Sequence, residues 1–168
     1  MKKIMIIGGS GAGKSTLAKN LDTLLNIPVY HLDAYYWKPG WQSIERTEIK
    51  RLQQSFVAED SWIIDGNYSA TMDIRLQAAD TVIFLNYSTT RRLFRVIKRR
   101  IQYNGKTRPD MGKDCPEKID WEFLNWVIRF KKDKVPAIRE CLAKTNHLEI
   151  LEFNSPKQTA KFLTKLAN

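Results

Sequence analysis

The chain has 168 residues, of which 43% are hydrophobic, and 28 lysines and arginines against 18 acidic residues give a net charge of +10. This size and composition predict one globular domain, residues 1–168. The apolar runs are too short for a signal peptide or a membrane span, so we expect a cytoplasmic protein. The positive charge predicts a surface that attracts polyanions, such as nucleic acid, nucleotides or phosphorylated substrates.

The cysteines and histidines give no sign of a metal cluster or a disulfide framework. Cys115 and Cys141 stand alone in the sequence, without a second cysteine at metal-binding spacing. His31 and His147 are also single, and we expect each to pack or to hydrogen-bond at a strand. The sequence therefore predicts two reduced thiols without a special task.

A glycine-rich segment near the start of the chain carries the strongest signal. A short apolar run at residues 3–7 predicts a buried strand, and leucines at helical spacing follow residue 16. Between them, residues 8–15 read Gly-Gly-Ser-Gly-Ala-Gly-Lys-Ser, which matches the phosphate-binding loop G-x-x-x-x-G-K-[ST]. We expect its backbone N–H groups to surround phosphate oxygens, Lys14 to reach the β- and γ-phosphates, and Ser15 to bind Mg²⁺. The chain is therefore predicted to bind a nucleoside triphosphate.

Apolar runs alternate with amphipathic segments through the first half of the chain. A second strand at residues 28–33 ends on Asp33, and an aromatic loop follows it. Residues 47–59 place apolar side chains on one helical face. A third strand at residues 61–66 also closes on an aspartate, Asp65. The next two predicted elements are a short helix and a fourth strand, at residues 71–77 and 81–85.

The second half begins with a very basic helix, predicted at residues 90–101. A polar stretch that contains two glycines and two prolines, residues 102–118, predicts a mobile loop. An amphipathic helix begins near Trp121, a fifth strand is predicted at residues 147–153, and a last helix starts after Ser155. This alternation predicts right-handed crossovers, a parallel sheet and a three-layer α/β domain.

Two aspartates follow predicted strands at the edge where parallel sheets bind ligands. Asp65 fits the second acidic signature of phosphate-loop proteins, which holds Mg²⁺ directly or through water; alternatively it is only a turn residue. Asp33 is a candidate to accept a proton from a substrate hydroxyl or to support the metal. Its alternative role is that of a strand-end cap.

Several arginines are candidates to bind phosphate groups. Arg91, Arg95 and Arg99 are spaced i, i+4, i+8, so they share one helical face and repel each other unless a polyanion lies across it. Arg108 in the polar loop and Arg129 on the next helix are candidates to close over the phosphates. The alternative is a basic surface that faces solvent.

The acceptor side is predicted from one arginine and an aromatic loop. Arg75 lies in the short helix after Asp65, and we consider it a candidate clamp for an anionic group of the acceptor. Tyr35, Tyr36, Trp37 and Trp41 are able to stack on a planar acceptor. Ordinary packing of these aromatic rings is the alternative.

With these residues the chain resembles phosphate-loop kinases of the nucleoside-monophosphate (adenylate) kinase type, and in particular the FlaR-type DNA topology modulation proteins. The matching segments cover most of the chain. They are residues 7–16, 32–41, 62–68, 75–76, 79–80, the helix with Arg95 and Arg99-Arg100, and residues 123–126. After Asp65-Gly66, however, kinases of the adenylate type continue with Phe-Pro-Arg, whereas this chain has Asn67-Tyr68-Ser69.

The resemblance implies an α/β/α fold with a five-stranded sheet of order 2-3-1-4-5, a helical acceptor region at residues 34–60 and an arginine-bearing lid at residues 102–118. It implies catalytic roles for Lys14, Asp33, Arg95 and Arg99. The implied donor-binding residues are Gly8, Gly9, Ser10, Gly11, Ala12, Gly13, Lys14, Ser15, Thr16 and Ser155. The implied acceptor-side residues are Asp33, Tyr36, Trp37, Asp65 and Arg75.

Two functions agree with these patterns. The first is a kinase that uses ATP and Mg²⁺, the latter held by Ser15 and Asp65, to phosphorylate a small molecule whose identity the sequence leaves open. The second is a nucleotide-regulated nucleic-acid-binding protein, although no nucleic-acid-binding motif is recognisable. No obligate protein partner is predicted. A switch GTPase is excluded because the chain lacks the N-K-x-D guanine motif.

Overall fold

Five parallel strands form the main sheet of the computed structural model, which describes residues 1–167. The strands are β1 (Lys3–Gly8), β2 (Val29–His31), β3 (Trp62–Asp65), β4 (Thr81–Leu85) and β5 (Glu149–Phe153). Their spatial order is 2-3-1-4-5, with β1 between β3 and β4. The predicted fold class and strand order are confirmed.

Eight helices connect and cover the strands of the described chain. They are α1 (Lys14–Leu25), α2 (Leu32–Tyr36), α3 (Arg46–Val57), α4 (Met72–Ala78), α5 (Thr89–Gln102), α6 (Trp121–Asp133), α7 (Val135–Ala143) and α8 (Pro156–Ala167). Among residues 1–167, no helix combines the length and the apolar character needed to cross a bilayer.

Alternation along the strands divides the core into two layers. Met5 and Ile7 of β1 pack on one side of the sheet, together with buried residues of α3, α4, α6 and α7. Ile4 and Ile6 pack on the other side, against α1 and α8. Each aliphatic side chain buried in this way contributes roughly 1.5–3 kcal/mol. The two layers hold β1 rigidly, so the loop that follows it has a fixed position.

The second strand is shorter than predicted. It ends at His31, and Leu32 and Asp33 begin α2 instead of completing the strand. Leu32 is fully buried in the core while the backbone turns above it, so Asp33 projects from a helix. The prediction that residues 28–33 form one strand is therefore wrong for its last two residues.

The predicted acceptor region contains more than helices. After α2, Trp37–Lys38 and Gln42–Ser43 pair as an antiparallel hairpin around a turn at Pro39–Trp41. The predicted lid, residues 102–118 and called the lid segment below, packs on this hairpin. The Gly40 N–H donates to the Asp114 carbonyl at 3.1 Å, and the Trp41 indole donates to the Pro116 carbonyl at 3.1 Å. The division of the single domain into these two regions stays a prediction.

Candidate active site

A cleft of about 1210 Å³ opens above the carboxyl ends of the central strands. The glycine-rich residues 8–15, called the phosphate loop below, lie at its base. Gly8 and Gly13 have φ values of +148° and +94°, which residues other than glycine rarely adopt. A Cβ on Gly8 would also lie 2.6 Å from the Leu85 carbonyl oxygen. The loop therefore has its compact shape only with glycine at these positions.

The loop ends where α1 begins, and no side chain caps the first turn of that helix. The first N–H groups of a helix have no partner within it, and they carry a partial positive charge. Backbone donors of this kind, exposed at the base of a cleft, form an anion-binding site. The local geometry thus fits the phosphates of a nucleotide.

Lys14 lies across the loop rather than pointing away from it. Its Nζ donates to the Gly8 carbonyl oxygen at 3.0 Å. Burial lowers the pKa of Lys14, while the charges of Asp33 and Asp65 oppose this shift and those of Arg99 and Arg108 add to it. The ammonium group is thereby held inside the cleft, between the loop and the two carboxylates.

Asn67 is a site residue that the sequence reasoning missed. Its side-chain oxygen accepts from the Gly8 N–H at 3.0 Å, and its side-chain nitrogen donates to the Gly8 carbonyl at 2.9 Å. This pair of bonds joins the segment after β3 to the first residue of the phosphate loop. The only local signal was the position of Asn67, two residues after Asp65.

Asp65 lies in register with Ile6 of β1, so the strand order brings it beside the phosphate loop. It is 4% exposed, and its Oδ1 is 2.8 Å from the Nδ1 of His31. Burial lowers the pKa of His31, but the hydrogen bond and charge of Asp65 outweigh it, so this pKa is raised overall. His31 therefore hydrogen-bonds at a strand end, and it orients the carboxylate that was predicted to bind metal.

Asp33 and Tyr68 form a second pair in the cleft. The Tyr68 hydroxyl donates to Asp33 Oδ1 at 2.6 Å. Burial raises the pKa of Tyr68, and the charge and hydrogen bond of Asp33 raise it further, so the phenol remains a proton donor. Asp33 is half-buried and lines the cleft, with its second oxygen available to a ligand.

The arginines of α5 do not share one environment. Arg95 donates to the Ala12 carbonyl at 3.3 Å and lies over the ring of Tyr87, and Arg99 also lines the cleft. Arg91 is exposed and does not line the cleft, so the predicted stack of three arginines is wrong at this position. Arg92 is buried directly behind Gly9, because the helix turns it toward the core.

A buried carboxylate links α5 to the lid segment. Glu117, whose side chain is 3% exposed, accepts a hydrogen bond from the Nε of Arg99 at 3.0 Å and forms an ion pair with Arg108, whose Nε lies 2.7 Å from its other oxygen. Arg108 also pairs with Asp110 at 2.9 Å. Burial raises the pKa of Asp110, but the charge of Arg108 and the polar side chain of Ser15 outweigh it, so this pKa is lowered overall. The lid segment thus reaches the end of the phosphate loop.

Besides Gly8 and Gly9 at the start of the phosphate loop, three predicted site residues do not line the cleft. Arg75 is fully buried and donates to the backbone carbonyls of Gly66 and Asn67 at 2.6 and 2.7 Å, so the structure does not bring it to the cleft, and its role as a clamp for the acceptor stays a prediction. Arg129 is exposed on α6, where it pairs with Asp133 at 2.8 Å, and it does not line the cleft. Ser155 accepts a weak bond from a backbone N–H of α8, and its neighbours in that helix line the cleft instead.

No family model matches the chain, and no curated protein matches it. Among solved structures, the shikimate kinase of Acinetobacter baumannii is similar with a TM-score of 0.59 and 16% identity, over 99% of this chain and 93% of that one. The shikimate kinase of Bacteroides thetaiotaomicron is similar with a TM-score of 0.57 and 18% identity, over 97% of this chain and 94% of that one. The deoxyadenosine kinase of M. mycoides is similar with a TM-score of 0.50 and 16% identity, over 97% of both chains. The chain therefore has the α/β/α fold that these phosphate-loop kinases share.

Proposed function

We propose that the protein is a kinase that moves the γ-phosphoryl group of ATP to a hydroxyl of a small molecule. The observation that carries this proposal is one cleft that contains both the phosphate loop with Lys14 and a separate carboxylate, Asp33. A protein that only binds nucleotide needs the loop, but it does not need a carboxylate aligned opposite it. The kinase fold supports the same conclusion.

On the donor side, the phosphate loop would bind the β- and γ-phosphates through backbone N–H groups. Lys14, Arg95, Arg99 and Arg108 line the same cleft and would neutralise charge on the transferring group. Tyr87 and the first turns of α8 line the cleft beside Arg95 and would contact the nucleoside. Most of the catalysis would come from positioning and charge stabilisation.

The oxygen groups at the end of the phosphate loop fit Mg²⁺. Ser15 and Asp65 both line the cleft, and the described residues contain no cluster of three or more ligating side chains that would hold a metal alone. Mg²⁺ suits such a sparse site, because it keeps several waters and takes its other ligands from nucleotide phosphates. Bound there, Mg²⁺ would neutralise charge on the phosphate oxygens.

On the acceptor side, Asp33 would accept the proton of the attacking hydroxyl. As that proton leaves, the hydroxyl oxygen bonds to the γ-phosphorus, and the bond from this phosphorus to the β–γ bridging oxygen breaks. The electron pair of the broken bond leaves with ADP. The donated hydrogen bond from Tyr68 keeps the Asp33 carboxylate oriented for this step.

An ADP-release assay with ATP and Mg²⁺ tests the proposal. The acceptor panel contains nucleosides, nucleotides and small hydroxylated metabolites, including shikimate and deoxyadenosine, which occur in the names of the structural neighbours. We expect at least one acceptor to stimulate turnover and Lys14→Ala to reduce it about 10²–10³-fold. Lys131→Ala, at an exposed position of α6, is the matched control. Equal rates in the wild type and Lys14→Ala across the panel would refute the kinase.

Nucleic-acid binding is the second candidate function. The net charge of +10 and the resemblance to the FlaR-type DNA topology modulation proteins support it. However, part of the charge is directed inward, since Arg92, Arg95 and Arg99 of α5 face the phosphate loop or the cleft. DNA titrations across a salt series decide the matter, because phosphate contacts make affinity fall steeply with salt. A weak and flat response would remove this candidate.

A further inference from the structure

The end of the cleft around Asp33 has little positive charge for an anionic acceptor. Asp33, Asp65 and Asp110 all line the cleft. Arg108 is already paired with Asp110 at 2.9 Å and with Glu117 at 2.7 Å. An acceptor phosphate placed here would lose its hydration and face several carboxylates, which costs free energy unless a cation compensates.

The other cations that line the cleft in residues 1–167 are also engaged or lie elsewhere. Lys14 belongs to the phosphate loop and donates to the Gly8 carbonyl at 3.0 Å. Arg95 is bonded to the phosphate loop, and Arg99 is bonded to Glu117. The ammonium of Lys118 lies over the ring of Trp41, 5.2 Å from its centroid. Lys19 is exposed on α1, one turn beyond the loop. None of them is arranged as a bidentate clamp for a second phosphate beside Asp33.

Arg75 explains why this end lacks such a clamp. Its guanidinium is fully buried and donates to the carbonyls of Gly66, Asn67 and Tyr68. Tyr68 has a φ of +33°, in the left-handed region, and these bonds hold the backbone on either side of it. The arginine therefore positions Tyr68 against Asp33 instead of binding a ligand.

Aromatic rings provide the contact surface at the same end. The rings of Tyr68 and Tyr36 have centroids 4.9 Å apart, those of Tyr36 and Trp37 also 4.9 Å, and those of Trp37 and Trp41 5.5 Å. All four residues line the cleft, and the row begins at the partner of Asp33. Neighbouring rings of the row meet edge to face, at interplanar angles of 61° to 85°, and a flat ring would bury apolar surface against the accessible face of one of them.

We propose that the acceptor is an uncharged, nucleoside-like alcohol with a flat ring, rather than a phosphorylated or carboxylated compound. This inference rests on the proposed kinase function. The ring would lie on the aromatic row, and its hydroxyl would point to Asp33. The hydroxyl gives its proton to Asp33 and its oxygen bonds to the γ-phosphorus of ATP. The bond to the bridging oxygen then breaks, and ADP leaves with that electron pair.

Paired ligands test the inference on the full chain. Each uncharged nucleoside is compared with its own 5′-monophosphate, and a set of ring hydroxy acids is added. Binding is measured by tryptophan fluorescence in the presence of Mg²⁺ and a non-hydrolysable ATP analogue, and turnover by ADP release. We expect at least one nucleoside to bind about tenfold more tightly than its monophosphate, because the latter adds a poorly compensated charge.

Trp37→Leu and Trp121→Leu form the matched pair of variants. Trp37 lines the cleft, whereas Trp121 is 78% exposed at the start of α6 and does not. We expect Trp37→Leu to weaken nucleoside binding roughly fivefold or more through lost stacking. Its affinity for a fluorescent ATP analogue should equal that of the wild type. Equal nucleoside affinity in the two variants would overturn the aromatic contact.

The two proposals fail in different ways. Turnover of monophosphates or hydroxy acids in preference to nucleosides would overturn the acceptor class and leave the kinase intact. Nucleoside binding without turnover would support the preference of the aromatic row for an uncharged, flat ring, but it would refute the kinase. If ATP binds but no nucleoside binds at concentrations up to about 10 mM, the acceptor class is wrong. A dissociation constant above that concentration means a binding free energy weaker than about −3 kcal/mol.

Discussion

The donor and acceptor ends of the cleft are built in different ways. The donor end is one continuous stretch of backbone, residues 8–15, followed directly by a helix. The acceptor end joins residues from α2, from the segment after β3 and from the lid segment. The phosphate loop is therefore recognisable in the sequence, whereas the acceptor end exists only when distant segments meet. The following variants are designed to separate the two ends.

The largest effect is expected at Asp33. Asp33→Asn keeps the shape of the side chain but removes the proton acceptor, so turnover should fall about 10²–10⁴-fold. Affinity for ATP should not change, because the donor end is untouched. Single-turnover kinetics and binding of a fluorescent ATP analogue measure the two quantities separately. Asp73→Asn, at an exposed position of α4, is the control. An equal loss of ATP affinity would show that the two ends are not separable.

Arg75 should matter for folding more than for binding. Arg75→Met removes the donors to the Gly66 and Asn67 carbonyls, and we expect the free energy of unfolding to fall by about 2–4 kcal/mol. Urea unfolding measures this change. Arg139→Met is the matched control, since Arg139 forms an exposed pair with Glu152 that should contribute less than about 1 kcal/mol.

The two explanations of Arg75 give opposite results. If Arg75→Met unfolds like the wild type but its KM for the acceptor rises steeply, then Arg75 binds the acceptor after all. In that case Arg75 would supply a cation to the acceptor end of the cleft, and an anionic acceptor could bind there. A lower unfolding free energy together with a smaller change in KM supports the positioning role.

Glu117 should hold the lid segment closed. Glu117→Gln removes the charge that pairs with Arg99 and Arg108, so the two guanidinium groups repel each other. We expect the free energy of unfolding to fall by about 1–3 kcal/mol and hydrogen exchange in residues 103–118 to become faster. Glu140→Gln breaks an exposed pair with Lys144 and should change neither measurement. Unchanged exchange in Glu117→Gln would show that other contacts close the lid segment.

The smallest effect is expected at His31 and depends on pH. The pKa of His31 is raised in the folded protein, through Asp65 and to a lesser degree Asp110, against burial and Lys19. Its contribution to stability is therefore fully present below the pKa of the unfolded state, about 6.5. It is lost as pH rises through the higher pKa of the folded state. The difference in unfolding free energy between the wild type and His31→Gln should be larger at about pH 6 than at about pH 9.

A variant of the second histidine is the control for this prediction. His147→Gln is suitable, because the His147 ring lies 3.2 Å from the carbonyl oxygen of Leu76, a partner without a charge. If both variants show the same dependence on pH, the His31–Asp65 pair does not couple protonation to folding.

Regular elements could be predicted closely from the sequence. The fourth strand was predicted at residues 81–85 and occurs there, and the basic helix was predicted at residues 90–101 and spans Thr89–Gln102. In these elements the apolar residues recur at the regular spacing of a strand or a helix, and this spacing can be recognised within the segment itself. α2 and the hairpin around Pro39–Trp41 were not predicted, because their short segments have no period to detect.

The contacts within the site were less predictable than the elements. Asn67 and Gly8 are 59 positions apart in sequence, and Tyr68 and Asp33 are 35 positions apart. Nothing near either residue indicates its partner. The pairing of His31 with Asp65 depends likewise on the parallel register of β2 and β3.

The sequence alone determined the phosphate loop, the alternation of strands and helices, and therefore the edge of the sheet at which a nucleotide would bind. Glycines and the periodic spacing of apolar residues determine the conformation of the segment that contains them, so their effect can be predicted from that segment alone. The tertiary structure decided which arginines face the cleft. In the sequence, Arg75 and Arg108 were both candidates to bind phosphate or another anionic group. In the fold, Arg75 is buried under the backbone after β3, whereas Arg108 lines the cleft. A long charged side chain pairs with whichever carbonyl or carboxylate the fold brings within reach, and the fold supplies these partners from distant parts of the chain.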